Sequence, residues 1–194
     1  MVATNSSMLP IGTKAEYFSL EDVRTNKIVN FQKENDAKGY LIAFICNLCP
    51  YVLHLLSHFI QSSRLWQEQG IEVVTISSND IEKYPQDNPE KMATLATDSH
   101  FTFPYLYDES QEVAQAYRAS CTPDFFLFDQ KLELFYRGQY DDSRPGNQKE
   151  VNGRHLNDAI DKLLQKESPP QQQVPSLGCN IKWIPGNEPD YFST

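Results

Sequence analysis

The sequence contains no apolar stretch long enough to cross a membrane, and it is poor in basic residues. Its longest unbroken apolar run is Tyr40 to Cys46, whereas a membrane-spanning helix needs about 20 such residues. Lys and Arg number 17 against 26 Asp and Glu, which gives a net charge of −9. Because nucleic-acid binding depends on clustered Lys and Arg, the sequence predicts neither a membrane-embedded protein nor a nucleic-acid-binding one.

The first ten residues, MVATNSSMLP, lack the basic patch and apolar core of a secretory signal. We therefore expect a cytoplasmic protein. In that reducing compartment its four cysteines are expected to be catalytic or metal-binding rather than structural disulfides. The sequence also lacks internal repeats, and 194 residues fit one domain with or without an extension.

Hydrophobic patterning predicts a strand, a helix and a second strand in the first half of the chain. The near-continuous apolar run Tyr40 to Ile45 predicts a strand that is covered on both faces. A helix is predicted over Cys46 to Gln69, with Pro50 in its first turn and Gly70 as its stop. Ile71 to Ser77 follows as a second buried strand, so a right-handed parallel crossover is expected.

The rest of the chain predicts shorter elements and a distinct C-terminal segment. Two strands are expected within residues 10–31 and an antiparallel hairpin from Asp124–Phe128 and Leu132–Arg137. The remaining predicted elements are a helix at Pro89–Thr97, a strand at Phe103–Tyr107 and helices at Glu109–Arg118 and Val151–Lys166. The composition changes after Glu167, which predicts a domain over residues 1–167 and a tail over residues 168–194 outside the folded layers. Large apolar residues near its end predict that this tail is ordered and packs on the domain or on a neighbouring subunit.

The motif Cys46-x-x-Cys49 is the clearest chemical signal. Its position between a strand and a helix favours redox chemistry over zinc binding. Free backbone N–H groups and the helix dipole stabilise an anion at a helix N-terminus, so Cys46 is predicted to have the lowered pKa and to attack. Cys49, one turn on, is predicted to resolve the mixed disulfide. Zinc would need four ligands, and the other two cysteines, Cys121 and Cys179, are isolated in the sequence.

Several stretches match motifs that occur together in one family. GTKAEYFSL resembles its opening hairpin, CNLCPYV its active-site motif, and CTPDFFLFD its proline loop. YRGQYDDSRPGN and PSLGCNIKW resemble a thioredoxin-like subgroup of about this length. The chain thus resembles the thioredoxin-like redoxin family related to alkyl hydroperoxide reductase and thiol-specific antioxidant proteins. The resemblance implies an α/β thioredoxin-like fold, with a central mixed β-sheet flanked by helices, an N-terminal β-hairpin and a C-terminal tail.

The resemblance also implies the remaining site residues. Thr122 and Pro123 would form the substrate-docking loop, with a cis bond between them and a backbone that pairs with an extended peptide. Cys121 would lie near the Cys-x-x-Cys motif as a candidate accessory thiol, the alternative being a small buried residue in a tight loop. Cys179 is expected to be structural or unreactive, the alternative being that the tail brings it to Cys46 or Cys121.

Two departures from thioredoxin itself concern proton transfer. Ile45 replaces the Trp before the first cysteine, and Tyr40 replaces the buried acid that usually accepts a proton from the second cysteine. His54 and His58 follow the motif on the predicted helix. They are expected to lie on a solvated helix face, the alternative being a proton relay. The residues before Cys46 also lack the Pro-x-x-x-Thr/Ser-x-x-Cys pattern of a peroxide-binding cysteine.

We therefore expect a thiol–disulfide oxidoreductase that needs no cofactor or metal. Its partners would be a protein or small-molecule disulfide substrate and an external thiol electron donor, and the chain would act as a monomer or homodimer. The alternatives are a thiol-dependent peroxidase, a non-catalytic binding module with the same fold, and a metal carrier.

Overall fold

The computed structural model describes residues 3–33 and 36–192. Within these residues the strands are β1 Ala3–Asn5, β2 Phe18–Asp22, β3 Lys27–Phe31, β4 Gly39–Phe44, β5 Ile71–Ser77, β6 Tyr105–Tyr107, β7 Cys121–Thr122, β8 Asp124–Asp129, β9 Leu134–Gly138 and β10 Leu177–Asn180. The α-helices are α1 Pro50–Glu68, α2 Pro89–Asp98, α3 Glu112–Ala116 and α4 Arg154–Leu164, and Pro85–Asp87 forms a short 3-10 helix. None of the helices in these described ranges is both long and apolar enough to span a membrane.

Seven strands form the central sheet, in the order β3-β2-β6-β5-β4-β8-β9. β5 pairs in parallel with both β4 and β6, while the other neighbouring strands are antiparallel. The mixed sheet flanked by helices, the N-terminal hairpin β2–β3 and the later hairpin β8–β9 are therefore confirmed. Every residue of β4 is buried, which explains why its sequence is a continuous apolar run.

The two faces of the central sheet pack against different parts of the chain. Side chains alternate along a strand, so Leu41 and Ala43 of β4 join the core that includes α1 and α4. Ile42 and Phe44 join a second core that contains α3 and Trp183 from the C-terminal segment. That segment is thus part of the folded core, although its composition suggested a tail outside the folded layers.

Helix α1 begins four residues later than predicted. Cys49 precedes it with extended backbone angles, φ −68° and ψ 120°. A residue before proline is driven away from the helical region by the proline ring, so Pro50 prevents Cys49 from joining the helix. Cys46 therefore lies in the loop between β4 and α1 rather than in the first turn. The predicted stop is confirmed, because Gly70 has a φ of +97°.

Helix α3 is also shorter than the predicted Glu109–Arg118. Gln111 and Arg118 have left-handed φ angles of 64° and 50°, which end the helix on both sides. The side-chain amide of Gln111 donates to the carbonyls of Ser78 and Lys182 at 2.7 and 2.9 Å, and so joins three separate segments.

A second, small sheet was not predicted. It consists of β1, β10 and β7 in that order, all antiparallel. In its register Cys179 lies opposite Thr122, and Asn180 lies opposite Cys121. Its strands have two to four residues, which is too short for an alternating pattern to be visible in the sequence. The small sheet therefore places the C-terminal segment directly beside the proline loop.

Candidate active site

The central sheet brings the Cys-x-x-Cys motif and the proline loop together. β4 and β8 are antiparallel neighbours, and Phe44 at the end of β4 pairs with Asp124 at the start of β8. The residues that follow Phe44 therefore meet those that precede Asp124. The peptide bond between Thr122 and Pro123 is cis, as the resemblance implied.

Both motif cysteines contact Thr122. The Cys46 Sγ lies 3.3 Å from the Thr122 Oγ1. The Cys49 Sγ lies 3.1 Å from the Thr122 carbonyl oxygen, to which it donates when it carries a proton. One residue of the proline loop thus contacts the first cysteine through its side chain and the second through its backbone.

Cys179 is the third thiol at this site. Its Sγ lies 2.8 Å from the Cys49 Sγ, although 130 residues separate them in the sequence. The contact follows from the register of β10 on β7, which sets Cys179 opposite Thr122. Sequence reasoning considered only Cys46 and Cys121 as partners for Cys179, so the contact with Cys49 is new. All four cysteines are in the reduced form in the structure.

The electrostatics of these thiols differ from the sequence expectation. Hydrogen bonds from Cys179 and then from Cys46 lower the pKa of the Cys49 thiol, against the opposing effect of burial. The hydrogen bond with Cys49, followed by burial and the nearby Asp87 carboxylate, raises the pKa of Cys46. The prediction that Cys46 has the lowered pKa is therefore wrong for this conformation. The physical reason is that Cys49, not Cys46, lies at the start of α1, where its thiolate is stabilised by hydrogen bonding with Cys179, Cys46 and the Val52 backbone.

Cys121 occupies a different environment. Its thiol donates to the Pro123 carbonyl oxygen across 3.7 Å, and its side chain is fully buried. Burial, followed by the charge of Asp124, raises the pKa of Cys121. These observations favour the alternative interpretation of Cys121 as a small buried residue in a tight loop.

A buried polar network lies beside Cys46. The Asp87 carboxylate accepts hydrogen bonds from the Asn47 backbone N–H and from the Asn79 side-chain amide, each at 2.8 Å. The hydroxyl of Tyr105 donates to the Asn47 Oδ1 at 3.1 Å. Sequence reasoning missed this network because Asp87 belongs to a polar insertion that has the composition of a solvent-exposed loop.

The two histidines of α1 are engaged by the segment that follows β9. The His54 Nε2 lies 2.7 Å from the Ser143 Oγ, and the His58 Nδ1 lies 2.6 Å from the Tyr140 hydroxyl. These contacts fasten that segment to α1, and they favour a packing role for both histidines over a proton relay.

In the part of the chain that the structure describes, no three His, Cys, Asp or Glu side chains are grouped to hold a metal ion.

The site is closed in this conformation. Cys46, Cys49 and Cys179 are 4%, 2% and 4% exposed, respectively. The cavity lined by Pro123 and Leu177 has a volume of about 10 Å³, roughly the space of one water molecule. A substrate disulfide therefore reaches a sulfur atom only after part of the covering structure moves.

The chain is similar in sequence to known proteins. A model of the AhpC/TSA family matches residues 11–137. The thiol-disulfide oxidoreductase ResA of Halalkalibacterium halodurans is 25% identical over 129 residues, which cover 66% of this chain and 68% of that protein.

Solved structures show the same fold. An uncharacterized conserved protein of Geobacillus kaustophilus superposes with a TM-score of 0.92 at 45% identity, over 96% of this chain and 98% of that one. A thiol:disulfide interchange protein of Chlorobium tepidum, a thioredoxin family protein, superposes with a TM-score of 0.61 at 15% identity, over 81% of this chain and 99% of that one. The predicted thioredoxin-like fold is thereby confirmed.

Proposed function

The chain belongs to the AhpC/TSA family, and on that basis we propose that it is a thiol–disulfide oxidoreductase with Cys46 and Cys49 as its redox pair. The observation that carries the proposal is the convergence of both motif thiols on Thr122, beside the cis bond to Pro123. The similarity to ResA, a thiol-disulfide oxidoreductase, supports the same reaction class.

In the first step Cys46 attacks the substrate disulfide. The Cys46 sulfur forms a bond with one substrate sulfur. The other substrate sulfur leaves with the electron pair of the broken bond and takes up the Cys46 proton. Cys49, whose pKa is lowered, stays deprotonated through this step.

In the second step Cys49 resolves the mixed disulfide. Its deprotonated sulfur attacks the Cys46 sulfur. The Cys46–Cys49 bond forms while the bond from Cys46 to the substrate breaks, which releases the second substrate thiolate. The substrate disulfide is reduced by two electrons and the enzyme dithiol is oxidised by two. An external thiol donor then reduces the enzyme disulfide.

The proline loop is the proposed docking edge for the substrate. The Thr122 backbone faces β10 in the closed conformation, so a peptide disulfide that pairs with this edge requires β10 to move aside. The substrate is a protein or small-molecule disulfide, and we propose a cytoplasmic location, where thiol donors are abundant.

The reduction of insulin disulfides by dithiothreitol tests the proposal. The wild type should accelerate insulin precipitation, whereas Cys46→Ser and Cys49→Ser should each abolish the acceleration. Cys121→Ala is the matched control, because it removes a buried thiol whose contact is with a carbonyl oxygen, and it should retain activity.

Two outcomes would overturn the proposal. Full insulin-reducing activity in Cys46→Ser would exclude this redox pair. A wild type that is inactive with insulin but consumes hydrogen peroxide in a Cys46-dependent reaction would instead identify a thiol-dependent peroxidase.

A further inference from the structure

We propose that Cys179 is a third redox cysteine, which exchanges with the Cys46–Cys49 disulfide to form a Cys49–Cys179 disulfide. The inference deepens the proposed function and rests on it for the supply of the first disulfide. It concerns a residue of the C-terminal segment that lies outside the family-matched residues 11–137.

The distance between the sulfur atoms is the first observation. The Cys49 and Cys179 Sγ atoms are 2.8 Å apart, in direct contact. Cys49 thus touches Cys179 directly and shares Thr122 with Cys46. Because Cys46 is its partner in the Cys-x-x-Cys motif, the Cys49 sulfur can form a disulfide with either thiol.

The residues on both sides of Cys179 hold its side chain next to Cys49. A Cβ atom on the preceding residue, Gly178, would overlap the Thr122 carbonyl oxygen, so glycine is needed for the strand to come this close. Before the glycine, Ser176 is anchored by a hydrogen bond from its hydroxyl to the Gly138 carbonyl at 2.8 Å. After Cys179, the buried Ile181 side chain lies in the core. Cys179 is therefore held at the site from both sides.

The proposed exchange conserves atoms and electrons. The Cys179 thiol loses its proton, and its sulfur attacks the Cys49 sulfur of the Cys46–Cys49 disulfide. The Cys49–Cys179 bond forms, the Cys46–Cys49 bond breaks, and Cys46 leaves with the electron pair and takes up a proton. One disulfide is exchanged for another, so no further oxidant or reductant takes part.

The exchange has a functional consequence. Cys46 returns to the thiol form while the chain still carries the oxidising equivalent from the first substrate. The new disulfide also ties β10 covalently to the start of α1, which keeps the Thr122 edge covered. The external thiol donor then has to reduce Cys49–Cys179 to reopen the site.

The test uses full-length protein and oxidised glutathione as the oxidant. In Cys46→Ser, Cys49 should first form a mixed disulfide with glutathione, and Cys179 should then resolve it. Alkylation in denaturant followed by peptide mass mapping should show a Cys49–Cys179 cross-linked peptide, with Cys121 alkylated. The matched control Cys46→Ser/Cys179→Ser should instead accumulate glutathione on Cys49. Oxidised wild type should contain both the Cys46–Cys49 and the Cys49–Cys179 peptides.

The outcomes separate this inference from the proposed function. If wild type reduces insulin and forms Cys46–Cys49, but no Cys179 cross-link appears in it or in Cys46→Ser, the inference is wrong and the proposed function stands. If Cys46→Ser yields the Cys49–Cys179 peptide while wild type has no exchange activity, the proposed function fails and Cys179 remains a redox partner of Cys49. Mapping the wild type provides the result without relying on the folding of any variant.

Discussion

The central sheet and the small sheet contribute to one site in different ways. The central sheet supplies Cys46 and Cys49 from a single loop between β4 and α1, so these two thiols are neighbours in sequence as well as in space. The small sheet joins the two ends of the chain, with β1 and β10 paired, and delivers Cys179 to Cys49 across 130 residues. The redox motif is thus local, whereas its cover and its third thiol depend on the packing of the whole chain.

The two sheets also differ in the number of residues that their strands pair. β4 pairs over all six of its residues with both β5 and β8, which is an extensive ladder. The small sheet has only short strands and depends on anchoring contacts, such as the mutual hydrogen bonds of Ser6 and Ser176 at 2.8 and 2.9 Å. The small sheet should therefore be separable from the central one by mutation.

Removal of residues 169–194 should have the largest effect on stability. The deletion takes the buried side chains of Ile181 and Trp183 from the core on one face of the central sheet. Burial of side chains of this size stabilises by about 1.5–3 kcal/mol each, so the free energy of unfolding should fall by about 3–6 kcal/mol. Thermal and urea unfolding, together with dye binding to the exposed apolar face, would measure this effect.

The control for that deletion is a shorter one over residues 185–194, which keeps β10 and both buried side chains. It should cost much less stability. Equal melting temperatures for the full-length chain and the 169–194 deletion would show that the C-terminal segment does not stabilise the fold.

Gly178→Ala should detach the small sheet while the central sheet stays intact. The added methyl group would overlap the Thr122 carbonyl oxygen, and overpacking of this kind typically costs about 1–3 kcal/mol. The strand should shift away from β7, so Cys46 and Cys49 should alkylate faster with iodoacetamide than in the wild type. Leu177→Val, a milder change at a half-buried position of the same strand, is the comparison variant. Unchanged labelling rates in Gly178→Ala would contradict a covering role for β10.

The lowered pKa of the Cys49 thiol should be measurable by ultraviolet absorbance. Because the pKa of Cys49 is lowered, thiolate absorbance at 240 nm should persist as the pH falls below 9, the ordinary thiol value. Cys49→Ser should lose this absorbance. Cys179→Ala should shift the titration to higher pH, since it removes the hydrogen bond that lowers the pKa most. A wild type without thiolate absorbance at neutral pH would contradict this assignment.

The lowered pKa of Cys49 should also make the free energy of unfolding depend on pH. Below pH 9 the folded chain holds one proton fewer at Cys49 than the unfolded chain, so this contribution to stability is lost as the pH falls. Cys49→Ser should lack that part of the pH dependence, which urea unfolding at several pH values would measure.

The smallest expected effect comes from Asp87→Asn, on the central-sheet side of the site. The Asp87 carboxylate raises the pKa of Cys46, and its removal should lower that pKa while the amide keeps a similar shape. Cys46 should therefore alkylate faster at a given pH, as measured by peptide mapping of labelled protein. Slower labelling of Cys46 would show that the carboxylate acts mainly through the hydrogen bonds that position the loop.

The sequence alone determined the local features of this protein. The apolar runs at β4 and β5 specify strands buried on both faces, and the Cys-x-x-Cys motif between β4 and α1 marks the proposed redox site. Pro50 is also decisive locally, since it sets the first residue of α1, but the prediction placed it inside the helix instead of at its boundary. The cis bond before Pro123 came from family resemblance, because no physical pattern in the sequence specifies it.

Only the tertiary structure decided how the thiol pKa values are shifted and which thiols meet. The pKa of Cys49 depends on hydrogen bonds with Cys179 and Cys46, and the pKa of Cys46 depends on Cys49, on burial and on Asp87 from a distant part of the chain. Such contacts leave no periodic signal in the sequence, because they arise between segments whose separation is set by sheet register and core packing. Cys179 appeared isolated in the sequence for the same reason, and only the pairing of β10 with β7 makes it a neighbour of Cys49.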